Sequence, residues 1–249
     1  KPEVPGIAEP TTGKSMGQCA ESMAKDMGIS RAEQDEWALG SHRRAWAATE
    51  KGKLKSELTP VFVPPDYALT VEADTDVRSD TDLEKLGKLR PVFDKAHGTV
   101  TAGNASPLTD GGAAVLLMSQ EKAKALGYKP LAYLKSYAMV GIDIQKEHLL
   151  IGPAYSAPIA LKRAGMKLSD IELVEMHEAF AAQVLGTLQR FESKTFANQI
   201  GLSEPIGELD RKRINPRGGS IAMGHPFGAT GARIISQAAH EMMSDNYGT

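Results

Sequence analysis

From Thr99 onward the sequence alternates short β-like apolar runs with segments of helical spacing, and no other feature constrains the fold as strongly. The stretch TVTAGNASPLTDGGAAVLLMS reads as a strand, a turn-rich loop and a buried strand from Ala113 to Met118. A helix follows to Ala125, and Gly127 closes it. LAYLKSYAMV is a further strand. Pro158 to Ala164 reads as a helix with Gly165 behind it, and Ile171 to Met176 as a strand that runs straight into HEAF. A helix from about Ala179 to Arg190 comes next. Ser220 to Met223 reads as a strand, followed by a glycine-rich turn. The last helix carries Ile234, Ile235, Ala238, Ala239 and Met242 on one face. Strands alternating with helices predict an α/β fold in which sheet and helices form layers. No short internal repeat is visible.

The first hundred residues have a different texture. Residues 1 to 15 are rich in proline and glycine and read as loop. Met16, Ala20, Met23 and Met27 then recur at helical spacing, and Gly28 ends that helix. A stripe of methionines at this spacing is what a helix face packed on a core requires. Ser30 with Glu33 forms a capping box for a second helix that runs to about Thr49. Residues 50 to 95 are charged and proline-rich, with short β-like runs such as Val61 to Val63. The acidic stretch from Glu72 to Glu84 reads as solvated surface. The terminal SDNYGT follows a helix where an α/β unit calls for a strand, so the chain reads as a piece of a longer protein.

Bulk properties narrow the function. The net charge is −2, and Lys and Arg are dispersed, which gives no electrostatic footprint for nucleic acid. No apolar run approaches membrane-spanning length, and no signal-peptide pattern is present, so the chain reads as not secreted. A single cysteine, Cys19, excludes an internal disulfide framework and fits a reducing compartment, bacterial cytoplasm or an organelle matrix alike.

Two motif-like stretches lack a required residue. TTGKS at Thr11 to Ser15 resembles the end of a phosphate loop, but the required upstream glycine position holds Ala8. HEAFA resembles a zinc-protease helix, but the second histidine position holds Ala181; no other metal-ligand spacing appears among the histidines, so no metal is expected. No Gly-x-Ser-x-Gly elbow occurs. Two histidines remain. His177 sits where a strand meets a helix, and His225 sits at a similar junction in GGSIAMGHPFGATGAR. Catalytic groups gather at the carboxyl ends of strands in α/β folds, and a helix N-terminus favours developing negative charge. A neutral imidazole there can take a proton from a thiol or donate N–H to an oxygen gaining charge, and both suit acyl transfer.

HEAFAAQ and GGSIAMGHPFGATGAR resemble two motif blocks of the thiolase family, and TVTAGNASPLTDGGAAVLLMS resembles a third well-known stretch of it. KLRPVF and MGQCAESMA are similar to its loop domain. His at position 177, where the family has Asn or His, and the long segment 191–217 resemble the β-subunit subclass of the fatty-acid β-oxidation complexes. The resemblance implies a layered αβαβα thiolase fold, incomplete here. Residues 1–97 would form the CoA-binding loop domain, 98–128 the end of the N-terminal half-domain, and 129–249 a truncated C-terminal half-domain.

The resemblance also implies thiolysis of a 3-ketoacyl-CoA by free CoA, or the reverse condensation. Coenzyme A is then a substrate, and no cofactor is held permanently. His225 would activate a cysteine nucleophile and bind the thioester oxyanion, and His177 would complete that oxyanion site. Ala179, Phe180 and Ser106 would contact pantetheine; Met16, Phe93 and Arg78 would surround CoA, with Arg78 near the adenine. A homodimer is implied, with a hydratase/dehydrogenase α-subunit as a further partner. Both cysteine blocks of the family are absent from the sequence, and Cys19 falls in the loop-domain helix, where it reads as structural. The expected nucleophile therefore lies upstream of residue 1, and the isolated chain is expected to be inactive. A CoA- or acyl-binding module without chemistry and a related acyl-condensing synthase stay open as alternatives.

Overall fold

The computed structural model describes residues 8–249. The loop reading of the first fifteen residues falls partly outside that range. Helix α1 (Met16–Asp26) begins at Ser15, whose hydroxyl accepts from the Gln18 amide while the Gln18 side chain accepts from the Ser15 amide. Helix α2 (Arg31–Glu50) begins at the Ser30–Glu33 capping box expected from the sequence. Strand β1 (Val61–Val63) pairs antiparallel with β2 (Leu69–Val71). Then follow α3 (Leu83–Gly87), α4 (Gln120–Leu126), α5 (Gly152–Ala164), α6 (Ala181–Glu192), α7 (Lys194–Gln199), α8 (Ser220–Met223) and α9 (Thr230–Asp245).

Helix α6 is the centre of the packing. Ala181 to Leu188 are all buried, so this helix has no solvent face over two turns. Helix α1 lies against it at Gly186, where a side chain would meet the tip of Met23 at 2.3 Å and the Met27 sulfur at 3.0 Å. The methionine stripe is therefore core packing, with flexible thioethers filling the close approach of two helices. Trp37 and Ala38 of α2 join the same core, with Leu185, Leu188, Phe191 and Phe196. The Glu21 carboxylate on α1 accepts from the backbone amides of Thr99 and Val100 at 2.7 and 2.9 Å, which pins the segment leading to the site.

Five expectations fail. Residues 113–118 form no strand and pair with nothing among the described residues, and Leu116 and Leu117 are 73 and 74% exposed rather than buried. The segment 131–140 likewise joins no ladder. A strand is made by its neighbours' hydrogen bonds, and here the only ladder among the described residues is β1–β2. Residues 171–176 keep a single parallel bridge, Val174 to Ile214. Ser220 to Met223 is a helical turn, not a strand; four residues are too few for periodicity to decide. Finally, α9 turns Thr230, Gln237 and Glu241 inward, while Ile235 of the expected apolar face is 56% exposed. The cause is the buried Arg217, which meets Glu241 at 3.3 Å and Asp245 at 3.2 Å and so recruits the polar side of the helix.

Candidate active site

The segment 176–180 is held from both sides. Asn215, at φ +46°, accepts from the Met176 amide at 2.7 Å and donates to the Met176 carbonyl and to Glu178 Oε1, each at 2.9 Å. On the other side the Ser106 amide and hydroxyl donate to the Ala179 carbonyl at 3.0 and 3.1 Å. The Ala181 amide donates to the Asn104 carbonyl at 2.9 Å, so the loop 101–107 caps the start of α6. His177 projects from this doubly clamped backbone.

His225 arrives from the glycine-rich turn. Its amide donates to the Pro107 carbonyl at 3.2 Å. Gly224 before it has φ +93°, and a side chain there would lie 2.4 Å from the Thr109 hydroxyl. At Gly219 a side chain would collide with the Glu178 carboxylate at 2.4 Å, which is why the turn can fold back onto HEAF. The two imidazole centroids stand 4.1 Å apart, with planes tilted by 41°. His177 Nδ1 is 2.8 Å from the Ser220 hydroxyl, and His225 Nδ1 is 2.7 Å from the Thr230 hydroxyl. Each ring thus spends Nδ1 on a hydroxyl and keeps Nε2 for a ligand. Burial pushes the His177 pKa down to about 4, helped by His225 and Arg233. Burial and Arg233 also lower His225. Both rings are neutral at physiological pH.

The remaining expected residues form two groups. Met16, Phe93 and Ala179 pack together around Ala20, Val100 and Phe180. The Phe93 and Phe180 rings meet edge to face with centroids 6.2 Å apart. Ser106 is tied to this group through Ala179. Arg78 lies elsewhere, on a cavity of about 230 Å³ lined also by His42, Lys85, Leu86, Leu89 and Pro107. Pro107 links the two places, since its carbonyl holds His225. The Arg78 amide donates to His42 Nδ1 at 3.2 Å. Cys19 is half-buried, and burial raises its pKa, the opposite of what an activated thiol needs.

Sequence reasoning did not find Glu178, Asn215, Ser220, Thr230 or Arg233 as parts of the site. A signal for Glu178 was present: it is the one acidic residue in the stretch from Met176 to Leu188. The contact between Gly17 and Phe93 was also out of reach. A side chain at Gly17 would lie 1.9 Å from the Phe93 ring. Glycine to alanine in a helix ordinarily stabilises by about 1 kcal/mol. Here Gly17→Ala is expected to destabilise by about 1–3 kcal/mol, because Phe93 must leave Phe180. Urea unfolding of the full-length protein checks this, and an unchanged or raised midpoint would contradict it.

Two neutral imidazoles, one turn rich in glycine and a neighbouring cavity make up a site suited to carbonyl chemistry of the acyl-transfer class. The chain is similar to known proteins along its length. The thiolase N-terminal domain family matches residues 3–121, and the thiolase C-terminal domain family matches residues 128–249. The 3-ketoacyl-CoA thiolases of Shewanella piezotolerans and Shewanella pealeana are each 52% identical over the whole chain, which spans 57% of their length. The acetyl-CoA acetyltransferase of Bacillus anthracis superposes with a TM-score of 0.83 at 37% identity, over 97% of this chain and 57% of that one. A human mitochondrial 3-ketoacyl-CoA thiolase in complex with CoA gives 0.80 at 34% identity, over 97% of this chain and 55% of that one. The chain belongs to the thiolase family, and its fold is the corresponding part of the thiolase fold.

Proposed function

We propose that this chain supplies the histidine half of an acyltransferase site that cleaves a 3-ketoacyl-CoA with CoA, giving acetyl-CoA and a shortened acyl-CoA. The observation that carries this reading is the pair of imidazoles 4.1 Å apart, each anchored through Nδ1. In this reading His225 takes the proton of a cysteine thiol at Nε2. The Thr230 hydroxyl, directed at the Pro226 carbonyl 3.4 Å away, accepts the His225 Nδ1–H and leaves Nε2 bare for that proton. His177 donates to the thioester oxygen as it gains charge. The acyl-carrying cysteine belongs to the part of the relatives' length that this chain does not span. Pantetheine runs past Ser106, Ala179 and Phe180, with Met16 and Phe93 beside it, and Arg78 binds the adenine end. Residues 1–97 act as the CoA-binding loop domain, 98–128 as the end of the N-terminal half, and 129–249 as part of the C-terminal half. CoA is a substrate rather than a resident cofactor. Among the described residues no helix is long and apolar enough to cross a membrane. The same reading has a homodimer working in bacterial cytoplasm or mitochondrial matrix, alongside a hydratase/dehydrogenase subunit.

The full-length protein is expected to consume a 3-ketoacyl-CoA and release acetyl-CoA when CoA is added, and residues 1–249 alone are not. Absence of acetyl-CoA with the full-length protein would overturn the reading. Arg78 is exposed, so Arg78→Ala should fold normally. Losing one charge-assisted contact should raise KM for CoA about tenfold with little change in kcat. An unchanged KM would remove Arg78 from the CoA site. The alternative of CoA binding without chemistry is chosen if the full-length protein binds CoA but makes no acetyl-CoA.

A further inference from the structure

We propose that Ser220 and Arg233 are positioning residues that lock His177 in a single tautomer, with Nδ1 accepting and the proton on Nε2. This deepens the reading above and rests on it for its catalytic meaning, though not for the tautomer itself. The protons around one oxygen decide the tautomer. Ser220 Oγ lies 2.8 Å from His177 Nδ1 and 3.0 Å from Arg233 Nη2. A guanidinium stays protonated and can only donate, so Arg233 occupies a lone pair of Oγ. The hydroxyl has one proton, and its acceptor is Nδ1. The opposite arrangement, with Nδ1–H donating into Oγ, would crowd two incoming protons onto an oxygen whose own proton then has no acceptor. A neutral ring that accepts at Nδ1 carries its proton at Nε2.

The arginine cannot drift away from this task. Its Nη1 donates to Gln237 Oε1 at 2.8 Å and meets the Met223 sulfur at 3.7 Å. Gln237 is itself buried and donates to the Gly218 carbonyl at 3.3 Å, which ties α9 back to the glycine-rich turn. Ser220 is fully buried at the start of α8, so no solvent competes for its hydroxyl. The cation also sits close enough to oppose protonation of the ring, as burial does. His177 is thereby a permanent N–H donor and not a proton carrier, while the neighbouring His225 is free to serve as the base. The unexpected helical turn at Ser220 to Met223 acquires a purpose, because it is this turn that presents the Ser220 hydroxyl to the ring.

The test is a histidine ¹⁵N spectrum of the full-length protein, with the His177 signals identified by their loss in His177→Asn. The expected result is an unprotonated Nδ1 and a protonated Nε2 for His177 in the parent protein. A protonated Nδ1 there would overturn the proposal, and no variant is needed to see it. In Ser220→Ala the ring should exchange between tautomers, and kcat for thiolysis should fall about tenfold with KM for CoA changed less than twofold. A single Nε2–H tautomer with unchanged kcat in Ser220→Ala would also overturn it. If the parent protein shows the Nε2–H tautomer yet performs no thiolysis, the tautomer lock stands and the proposed reaction fails.

Discussion

Replacing His225 with alanine in the full-length protein should lower kcat/KM for thiolysis by about 10³-fold or more. His225 Nε2 takes the thiol proton and, once protonated, can donate it to the oxygen gaining charge beside His177, so two tasks fall on one nitrogen. Loss of a donor at a developing oxyanion costs about 10²–10³ in rate, and loss of a general base about 10²–10⁴. The two do not simply multiply, because His225 and His177 act as one unit over one oxygen. KM for CoA should move little, since the residues proposed to hold CoA lie around Phe93 and Phe180 and at Arg78, away from the ring. Folding should survive as well: His225 is half-buried and anchored by one hydroxyl, so the variant forfeits about 1 kcal/mol of stability. Steady-state kinetics and a thermal melt of the same preparation check both halves. Near-normal turnover in a folded variant would remove His225 from the reaction, and collapse of the fold would make it structural instead.

Some elements were legible in the sequence because their cause is local. The Ser30–Glu33 box starts α2, and Gly127 and Gly165 follow α4 and α5 in left-handed conformation. The methionines of α1 recur at the spacing their packing uses. His177 and His225 were legible as a pair only because both stood beside junctions, and their approach to 4.1 Å depends on contacts across dozens of residues. What was not legible has a non-local cause. The stretch 113–118 has strand composition, but a strand is completed by its neighbours. Helix α9 was read from its apolar stripe, whereas Arg217, thirteen residues before it, decides which face turns inward. Ser220 was read as the start of a strand, because nothing in SIAM foretells that Ile221 will offer its amide to a carboxylate from residue 178.

That carboxylate carries the largest expected effect on stability. Glu178 is fully buried, and its Oε1 accepts from Trp37 Nε1 at 3.1 Å and Asn215 Nδ2 at 2.9 Å. Its Oε2 accepts from the Ser41 hydroxyl at 2.7 Å and the Ile221 amide at 3.2 Å. Arg44 on α2 stands 3.9 Å away. One side chain therefore joins α2, the segment that carries His177 and the helical turn that carries Ser220. Glu178→Gln keeps the shape and changes only one oxygen to an NH₂. At the Oε1 end that group faces two donors that cannot accept, Trp37 Nε1 and Asn215 Nδ2; at the Oε2 end the Ser41 hydroxyl can turn to accept, but the Ile221 amide cannot, so at least one hydrogen bond is lost and a donor is left buried without a partner. The Arg44 cation also loses its counter-charge. The expected cost is about 3–5 kcal/mol of folding stability. Urea unfolding of the full-length protein measures it as a lower midpoint. Turnover should fall with it, because Asn215 is shared between Glu178 and the Met176 backbone that aims His177. A Glu178→Gln protein with the parent midpoint would mean that the four donors are satisfied without the charge, and that the site's geometry is held by the Asn215 and Ser106 clamps alone.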